Sequence, residues 1–210
     1  MNFENSKAIL FAGLERGDIV EYVASIGSME GYKILVIDNS YMHDIFIAKE
    51  SDENVTETDR GAITYLKDVQ YSEEMKKFYD FIFVYNGFTR CDLSEIKADI
   101  TVVQTDAAKH HLMKLRKDMV DFNNKYVLIY RDRIGKKIVP ADLASFIGKN
   151  PSEIAVIDYE SVDTAAYIAF TIDGHMNTLR GASAGMQETV SYFLSTLYNL
   201  DAKTIKRRYL

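Results

Sequence analysis

The sequence contains one cysteine, two prolines and no tryptophan among its 210 residues. Because Cys91 stands alone, an internal disulfide and any thiolate cluster around zinc or iron are excluded, and a reducing, cytosolic setting is the simplest expectation. So few prolines argue against a linker-rich or disordered chain. No stretch approaches the roughly 18 uncharged apolar residues that a membrane-spanning helix needs. Residues 1–5 also lack the basic start of a secretory signal, so we expect none.

An excess of basic charge is missing too, because 25 Lys and Arg side chains are outnumbered by 31 Asp and Glu side chains. The net charge of −6 argues against a protein that coats nucleic acid, and we find no strong nucleic-acid signal. Residues 109–117 and 131–137 could form a local basic face, for which ordinary solvation is the simpler explanation. The composition is otherwise that of a globular protein, and the length suits one domain over residues 1–210.

Short apolar runs alternate with amphipathic segments along the chain. The runs predict strands at residues 7–12, 33–38, 63–66, 79–85, 100–105, 126–130 and 154–157. The amphipathic segments predict helices at 18–30, 72–78, 106–122 and 140–147, and one after Gly185. Continuous Val, Ile and Phe runs are typical of parallel strands that helices cover on both faces. We therefore predict an α/β fold with a doubly wound, mostly parallel sheet in three layers, and an exposed loop at 49–59.

The first strand–helix junction is where such a fold would bind phosphate. A phosphate loop needs glycines, a lysine that reaches the phosphates, and a Ser or Thr hydroxyl for magnesium. Residues 12–19 (AGLERGDI) supply Gly13 and Gly17. Asp18 stands where the lysine would be, and Ile19 stands where the hydroxyl would be. The loop therefore has the glycines of a phosphate site but not its chemistry.

The charges of this loop have the wrong sign for phosphate. Glu15 and Asp18 would each repel a triphosphate by about 1 kcal/mol per charge pair even at the dielectric constant of water. Arg16 would offset only part of this repulsion. Asp18 with Glu21 three residues later matches a capping box, so we predict that Asp18 caps the helix start that a phosphate would otherwise occupy.

Residues 31–38 (GYKILVID) resemble the second strand of the MinD/ParA family of deviant Walker P-loop ATPases, in which a helix ends at glycine and a strand ends at aspartate. Residues 79–85 (YDFIFVY) resemble the Walker B strand of this family. Residues 98–103 (ADITVV) and 157–160 (IDYE) resemble two later strands. Within the family, the likeness is to the TadZ and CpaE pilus-assembly localisation proteins. The resemblance implies a P-loop NTPase fold and a dimeric scaffold.

Three chemical functions of that family's site are missing here. The two lysines would fall near Gly13 and Asp18, the magnesium-linked hydroxyl at Ile19, and the Walker B aspartate at Tyr85. Together these losses argue against the usual route of phosphoryl transfer. We therefore expect a degenerate phosphate loop, no catalytic residue, no enzymatic activity, no cofactor and no metal.

The leading hypothesis is a non-catalytic pseudo-ATPase that acts as a scaffold or positioning component of a bacterial assembly such as pilus or secretion machinery. We expect protein partners and a homodimer. One alternative is an ATPase with an unconventional loop, in which Arg16 replaces the lysine. Another is an enzyme or sensor that binds a small molecule in a cleft near the strand ends. The candidate cleft residues are Asp38, Tyr41, Tyr85, Asn86 and Arg90.

Two further segments suggest functions that have simpler explanations. Residues 203–210 (KTIKRRYL) resemble a short form of the membrane helix of MinD-type proteins, but basic residues that complement the dipole of the last helix also explain them. We favour the second reading, so we expect a cytoplasmic protein that reaches a membrane through a protein partner. Ser183 lies in the outline of a nucleophile elbow, which must follow a strand. Residues 173–180 predict none, so we place Ser183 in a loop before the last helix.

Overall fold

The computed structural model of this protein describes residues 6–50, 52, 54–88, 96–135, 137–174 and 176–210. The strands are β1 (Lys7–Gly13), β2 (Ile34–Asp38), β3 (Glu57–Arg60), β4 (Ile63–Lys67), β5 (Phe81–Gly87), β6 (Ile100–Thr105), β7 (Tyr126–Arg133) and β8 (Glu153–Asp158). The α-helices are α1 (Asp18–Met29), α2 (Asp44–Ile47), α3 (Lys109–Asp118), α4 (Pro140–Ile147), α5 (Ser161–Asp173), α6 (Ala184–Tyr198) and α7 (Ala202–Arg208). A 3-10 helix covers Glu73–Lys77.

The eight strands of the described residues belong to one sheet, in the order β3-β4-β2-β5-β1-β6-β7-β8. Every neighbouring pair is parallel except β3 and β4, which are antiparallel. The predicted α/β fold with a mostly parallel sheet is therefore confirmed. Strands β1 and β2 are joined through α1, and β5 lies between them in the sheet.

Helices cover both faces of the sheet, which explains why the central strands are continuous apolar runs. Successive side chains of a strand point to opposite faces. Thus Ile9 and Phe11 of β1 lie in the cluster that includes α1, α5, α6 and α7, whereas Ala8 and Leu10 lie in the cluster with α3 and α4. All four side chains are fully buried.

Elements β3, α2, α5 and α7 lie where the sequence predicted no strand or helix. Residues 57–60 form the edge strand β3 at the end of the predicted loop 49–59, with only Thr58 buried in the strand. The one buried side chain of this strand is a threonine, so the strand lacks the apolar alternation on which the prediction relied. Helix α5 was also missed, because Val162, Ile168 and Ile172 are apolar but exposed, so its pattern is not that of a helix with one buried stripe.

Helix ends also differ from the predictions. The helix predicted over 106–122 begins at Lys109 and ends at Asp118, and Ala108 occupies its N-cap position. The carboxylate of Asp106 instead accepts bonds from the Ala108 N–H and the His111 ring. The helix predicted after Gly185 is α6, which ends at Tyr198 because Asn199 adopts a left-handed conformation, and α7 follows it as a separate helix.

The carboxyl ends of the parallel strands meet at one edge of the sheet. Strand β1 ends there at Gly13, β2 at Asp38, β5 at Gly87, β6 at Thr105 and β7 at Arg133. In open α/β sheets this edge is where ligands bind.

Candidate functional site

The loop after β1 leaves the sheet in close contact with β6. Gly13 has φ +100°, and its successor Leu14 donates its N–H to the carbonyl of Gln104 at 2.8 Å. A Cβ atom on Gly13 would lie 2.0 Å from that same carbonyl oxygen. Glycine is therefore required here by the left-handed backbone and by the close approach of a second strand.

Gly17, the second glycine, lies against the start of α2. Its N–H donates to Oδ2 of Asp44 at 3.1 Å. A Cβ atom on Gly17 would lie 2.3 Å from Cγ1 of Ile45. Both predicted loop glycines thus make close contacts within the protein. The Asp44 carboxylate binds an N–H at the start of α1, the kind of group that binds anions at helix starts.

The predicted capping box of Asp18 is wrong. Gly17, which has no side chain to make a cap bond, is the N-cap residue of α1, and the only backbone N–H of this helix that Asp18 Oδ1 accepts is that of the next residue, Ile19, at 2.8 Å. Asp18 is instead the first helical residue, 1% exposed, and its carboxylate pairs with Arg131 at the end of β7. The distances are 2.6 Å from Oδ1 to NH1 and 2.7 Å from Oδ2 to NH2. An unpaired guanidinium of Arg131 in the core would destabilise the fold more than a helix start without a side-chain cap does. Asp18 therefore pairs with Arg131.

Further polar groups surround this ion pair. Gln104 Oε1 accepts a bond from NH1 of Arg131 at 3.1 Å. Arg16 places NH2 3.4 Å from Asp18 Oδ2 and NH1 3.3 Å from Asp132 Oδ2. Burial pushes the pKa of Asp18 upward, but the charge and hydrogen bonds of Arg131, with help from Arg16, outweigh it and hold the pKa below 3.8. Asp18 therefore stays ionised and bound to Arg131.

Glu21, the other half of the predicted box, belongs to a separate buried network. Its carboxylate lies 2.7 Å from Nζ of Lys49 and also accepts bonds from Ser25 and Tyr65. Burial raises the pKa of Glu21 in spite of Lys49. This network ties α1 to β4 and to the end of α2, away from the helix start.

Helix α5 closes the site from outside through Tyr167. Its hydroxyl donates to Oδ2 of Asp44, and the Arg16 guanidinium lies 4.9 Å from its ring centroid. Burial raises the pKa of Asp44. The second oxygen of Asp44 is buried without a hydrogen-bond partner among the described residues.

Asp38, at the end of β2, shapes the segment that leads to α2. Its Oδ1 accepts bonds from the N–H and hydroxyl of Ser40, at 3.0 and 2.6 Å. Its Oδ2 accepts the N–H groups of Ile45 and Phe46, both at 3.0 Å. Burial and the nearby charge of Asp44 raise the pKa of Asp38 to about 6. Each oxygen already accepts two hydrogen bonds, so Asp38 holds the backbone of residues 40–46 in place.

The remaining candidate cleft residues do not share one environment. Tyr85 and Asn86 are fully buried, whereas Tyr41 is 70% exposed. The Tyr85 hydroxyl has no hydrogen-bond partner among the described residues, and burial raises its pKa well above 10. Arg90 and Cys91 lie outside the described residues. Glu15 lies across the end of β5, where a Cβ on Gly87 would be 2.6 Å from its Cγ.

No family model matches the chain, and no curated protein sequence matches it. Solved structures do match its fold. A ParA family ATPase from Chlorobium tepidum TLS aligns with a TM-score of 0.59 at 14% identity, over 90% of this chain and 98% of that one. A chain of the MinC:MinD cell division protein complex from Aquifex aeolicus aligns with a TM-score of 0.65 at 16% identity, over 90% of this chain and 96% of that one. This protein has the MinD/ParA-like fold.

On this MinD/ParA-like fold, the sequence located the loop correctly but missed its partners. Asp44, Arg131 and Tyr167 carried no site prediction, and Arg131 was assigned to a surface face. The sequence places Arg131 directly after the apolar run 126–130, and this position is a signal that the side chain is buried. No local signal connects it to Asp18.

The other weak candidates have structural roles. Ser183 is the N-cap of α6, accepting the Met186 N–H at 3.2 Å, and it lies in a loop as predicted. Ile205 and Tyr209 of the basic tail are buried in the core. Among the described residues, no group of three His, Cys, Asp or Glu side chains could hold a metal ion. No helix in the described part of the chain is long and apolar enough to cross a bilayer.

Proposed function

We propose that this protein is a pseudo-ATPase of the MinD/ParA type, a non-catalytic scaffold or positioning component of a bacterial assembly such as pilus or secretion machinery. The observation that carries the proposal is the buried Asp18–Arg131 ion pair at the start of α1. It puts an anion where a phosphate loop needs a cation, and it neutralises the nearest buried cation. The start of α1 is occupied by groups of the protein itself.

A triphosphate would have to disrupt this arrangement to bind. It would compete with Asp44 for the Gly17 N–H and would approach the ionised Asp18. Separating Arg131 from Asp18 would leave a buried charge unpaired, which typically costs about 3–5 kcal/mol. Those losses would be subtracted from any binding energy that the phosphates gained.

The residues present also do not fit magnesium. Ile19 stands at the hydroxyl position and is fully buried in the core. Tyr85 stands at the Walker B position, and its phenol remains protonated because burial raises its pKa. Asp38 uses both oxygens to bind backbone and Ser40 groups. A magnesium ion here would therefore lack the hydroxyl ligand at position 19 and the carboxylate at position 85, and Asp44 Oδ1, which has no partner among the described residues, would not alone replace them.

The surface near the carboxyl ends of the parallel strands supports a protein-binding role. Tyr41, Met42 and Ile47 are 70%, 60% and 55% exposed, and α2 packs beside α5, whose Ile168 and Ile172 are also exposed. Exposed apolar groups clustered in this way mark interaction surfaces. The matching structure from Aquifex aeolicus is itself a protein complex. We infer a homodimer held by direct contacts and a cytoplasmic protein whose contact with a membrane runs through a partner.

Two measurements test this function. Phosphate release from ATP with Mg²⁺ should not exceed that of a protein-free control, and light scattering at two concentrations should give a mass that ATP does not change. Turnover, or dimerisation that needs ATP, would contradict the proposal. If turnover is seen, Arg16→Ala distinguishes the unconventional loop, because that variant should then lose nucleotide binding.

A further inference from the structure

The two outermost strands of the sheet, β3 and β8, differ in how they are protected from pairing with a further strand. At one edge, β3 has four residues, of which Glu57, Asp59 and Arg60 are charged. Charged side chains on short edge strands discourage the addition of another strand. At the other edge, residues 154–157 of β8 (IAVI) carry no charge and no proline. No strand lies on the outer side of β8 within the described part of the chain.

A groove of about 320 Å³ lies between this edge and helix α6. Its lining comes from the two elements and from neighbouring β7: Val127, Glu153, Ile154, Ala155, Val156, Glu188, Thr189 and Tyr192. Val127 and Thr189 are buried beneath it, whereas Ile154 and Tyr192 remain 42% and 38% exposed. The unpaired strand edge therefore adjoins a pocket of side-chain size with apolar walls.

The charge of the groove is of one sign. Glu153 and Glu188 line it, and no Lys, Arg or His does so among the described residues. Neither carboxylate has an ion-pair or hydrogen-bond partner in the described ranges. A segment that docks here would gain by presenting a cation to each glutamate, since opposite charges across an interface favour the correct partner and speed its association.

We propose that β8 and this groove bind an extended segment of a partner protein, in which an apolar residue is flanked two positions away on each side by Lys or Arg, so that all three side chains share one face of the added strand. The segment would pair with the outer edge of β8, place an apolar side chain between Ala155 and Tyr192, and bring basic side chains to Glu153 and Glu188. Strand addition gains affinity from main-chain hydrogen bonds and specificity from alternate side chains. This proposal is independent of the pseudo-ATPase proposal, because no groove residue belongs to the phosphate loop or to its ion pairs.

The test uses the full chain labelled with ¹⁵N and two synthetic nonapeptides, which carry Lys-Thr-Val-Thr-Lys or Glu-Thr-Val-Thr-Glu at their centre, so that the valine and both charges lie on one face of the extended peptide. The lysine peptide should shift the amide signals of residues 153–157, and its affinity should exceed that of the glutamate peptide. Reversing both charges with Glu153→Lys and Glu188→Lys should weaken binding roughly tenfold or more, which corresponds to about 1.4 kcal/mol. The matched control, Glu57→Lys on the opposite edge, should leave binding unchanged.

Three results would overturn the proposal. They are no binding of the lysine peptide at millimolar concentration, equal binding of the two peptides, and amide shifts that centre on β3 or spread evenly over the surface. Because Glu153 and Glu188 are exposed, the reversed variants should fold normally, and an unchanged unfolding midpoint in urea would establish that they do.

Discussion

Asp18 and Arg131 lie 113 positions apart in the sequence, yet they form two parallel hydrogen bonds of 2.6 and 2.7 Å in a site closed to solvent. A paired carboxylate and guanidinium in this geometry make strong, directional bonds. The pair joins the start of α1 to the end of β7. It therefore holds in place the loop between β1 and α1. Its stability contribution and its effect on ligand access can be measured separately.

Asp18→Asn should lower the free energy of unfolding by about 3–5 kcal/mol, because Arg131 would keep its charge and lose its counter-ion. Asp158→Asn is the matched control, since Asp158 also pairs with an arginine, Arg133, but is exposed. It should cost about 1 kcal/mol or less. Urea unfolding measures both, and equal losses would contradict the structural role of the buried pair.

Replacing both members of the pair should be milder than replacing one. The combined Asp18→Leu and Arg131→Met variant leaves no unpaired charge, so its loss should be smaller than the sum of the two single losses. A double-mutant cycle in urea gives the coupling energy. Additive losses would show that the two side chains act independently.

Gly13→Ala should destabilise the protein far more than Gly31→Ala. Both glycines have positive φ, +100° and +91°, so both variants bear the strain of a left-handed alanine, of about 1 kcal/mol. Only at Gly13 does a Cβ meet another atom, the Gln104 carbonyl oxygen at 2.0 Å, whereas nothing lies within 4 Å at Gly31. Comparable unfolding midpoints for the two variants would contradict the tight contact between the loop and β6.

Asp38 should make stability fall as pH rises from about 4 to about 6. Its folded pKa of about 6 lies above its ordinary value of 3.8, so the folded state binds the proton more tightly. The contribution is fully present below pH 3.8 and is lost through pH 6. It amounts at most to roughly 3 kcal/mol, since one pKa unit corresponds to about 1.4 kcal/mol. Asp18, whose pKa is lowered, acts in the opposite direction below pH 3.8.

Urea unfolding at several pH values between 4 and 7 measures this slope. Asp38→Asn should flatten it, although part should remain because the pKa values of Glu21 and Asp44 are also raised by burial. A carboxyl carbon signal of Asp38 that titrates near pH 4 would disagree with the burial of this side chain.

The C-terminal segment should behave as part of the core. Ile205→Ala should cost about 2–5 kcal/mol, because the side chain packs with Tyr209 against the body. Lys203→Ala, at an exposed position of the same helix, should change stability by less than about 0.5 kcal/mol. If the tail were instead a membrane helix, Ile205→Ala would not lower the free energy of unfolding. The protein would then also bind vesicles of anionic lipid.

The sequence predicted the central sheet because β1, β2, β5, β6 and β7 are buried on both faces and therefore appear as uninterrupted apolar runs. It also located the loop, since Gly13 and Gly17 bracket it. It could not predict that Arg131 reaches Asp18, because that contact depends on the order of strands in the sheet. The same contact explains the failed capping box: tertiary pairing outweighed a local motif.

The binding of ATP with Mg²⁺, measured by isothermal titration calorimetry on the unmodified protein, tests the central claim most directly. If the Asp18–Arg131 pair and Asp44 occupy the start of α1, titration to about 1 mM nucleotide should give only the heat of dilution, which bounds the binding free energy at about −4 kcal/mol. A dissociation constant in the micromolar range would contradict the account.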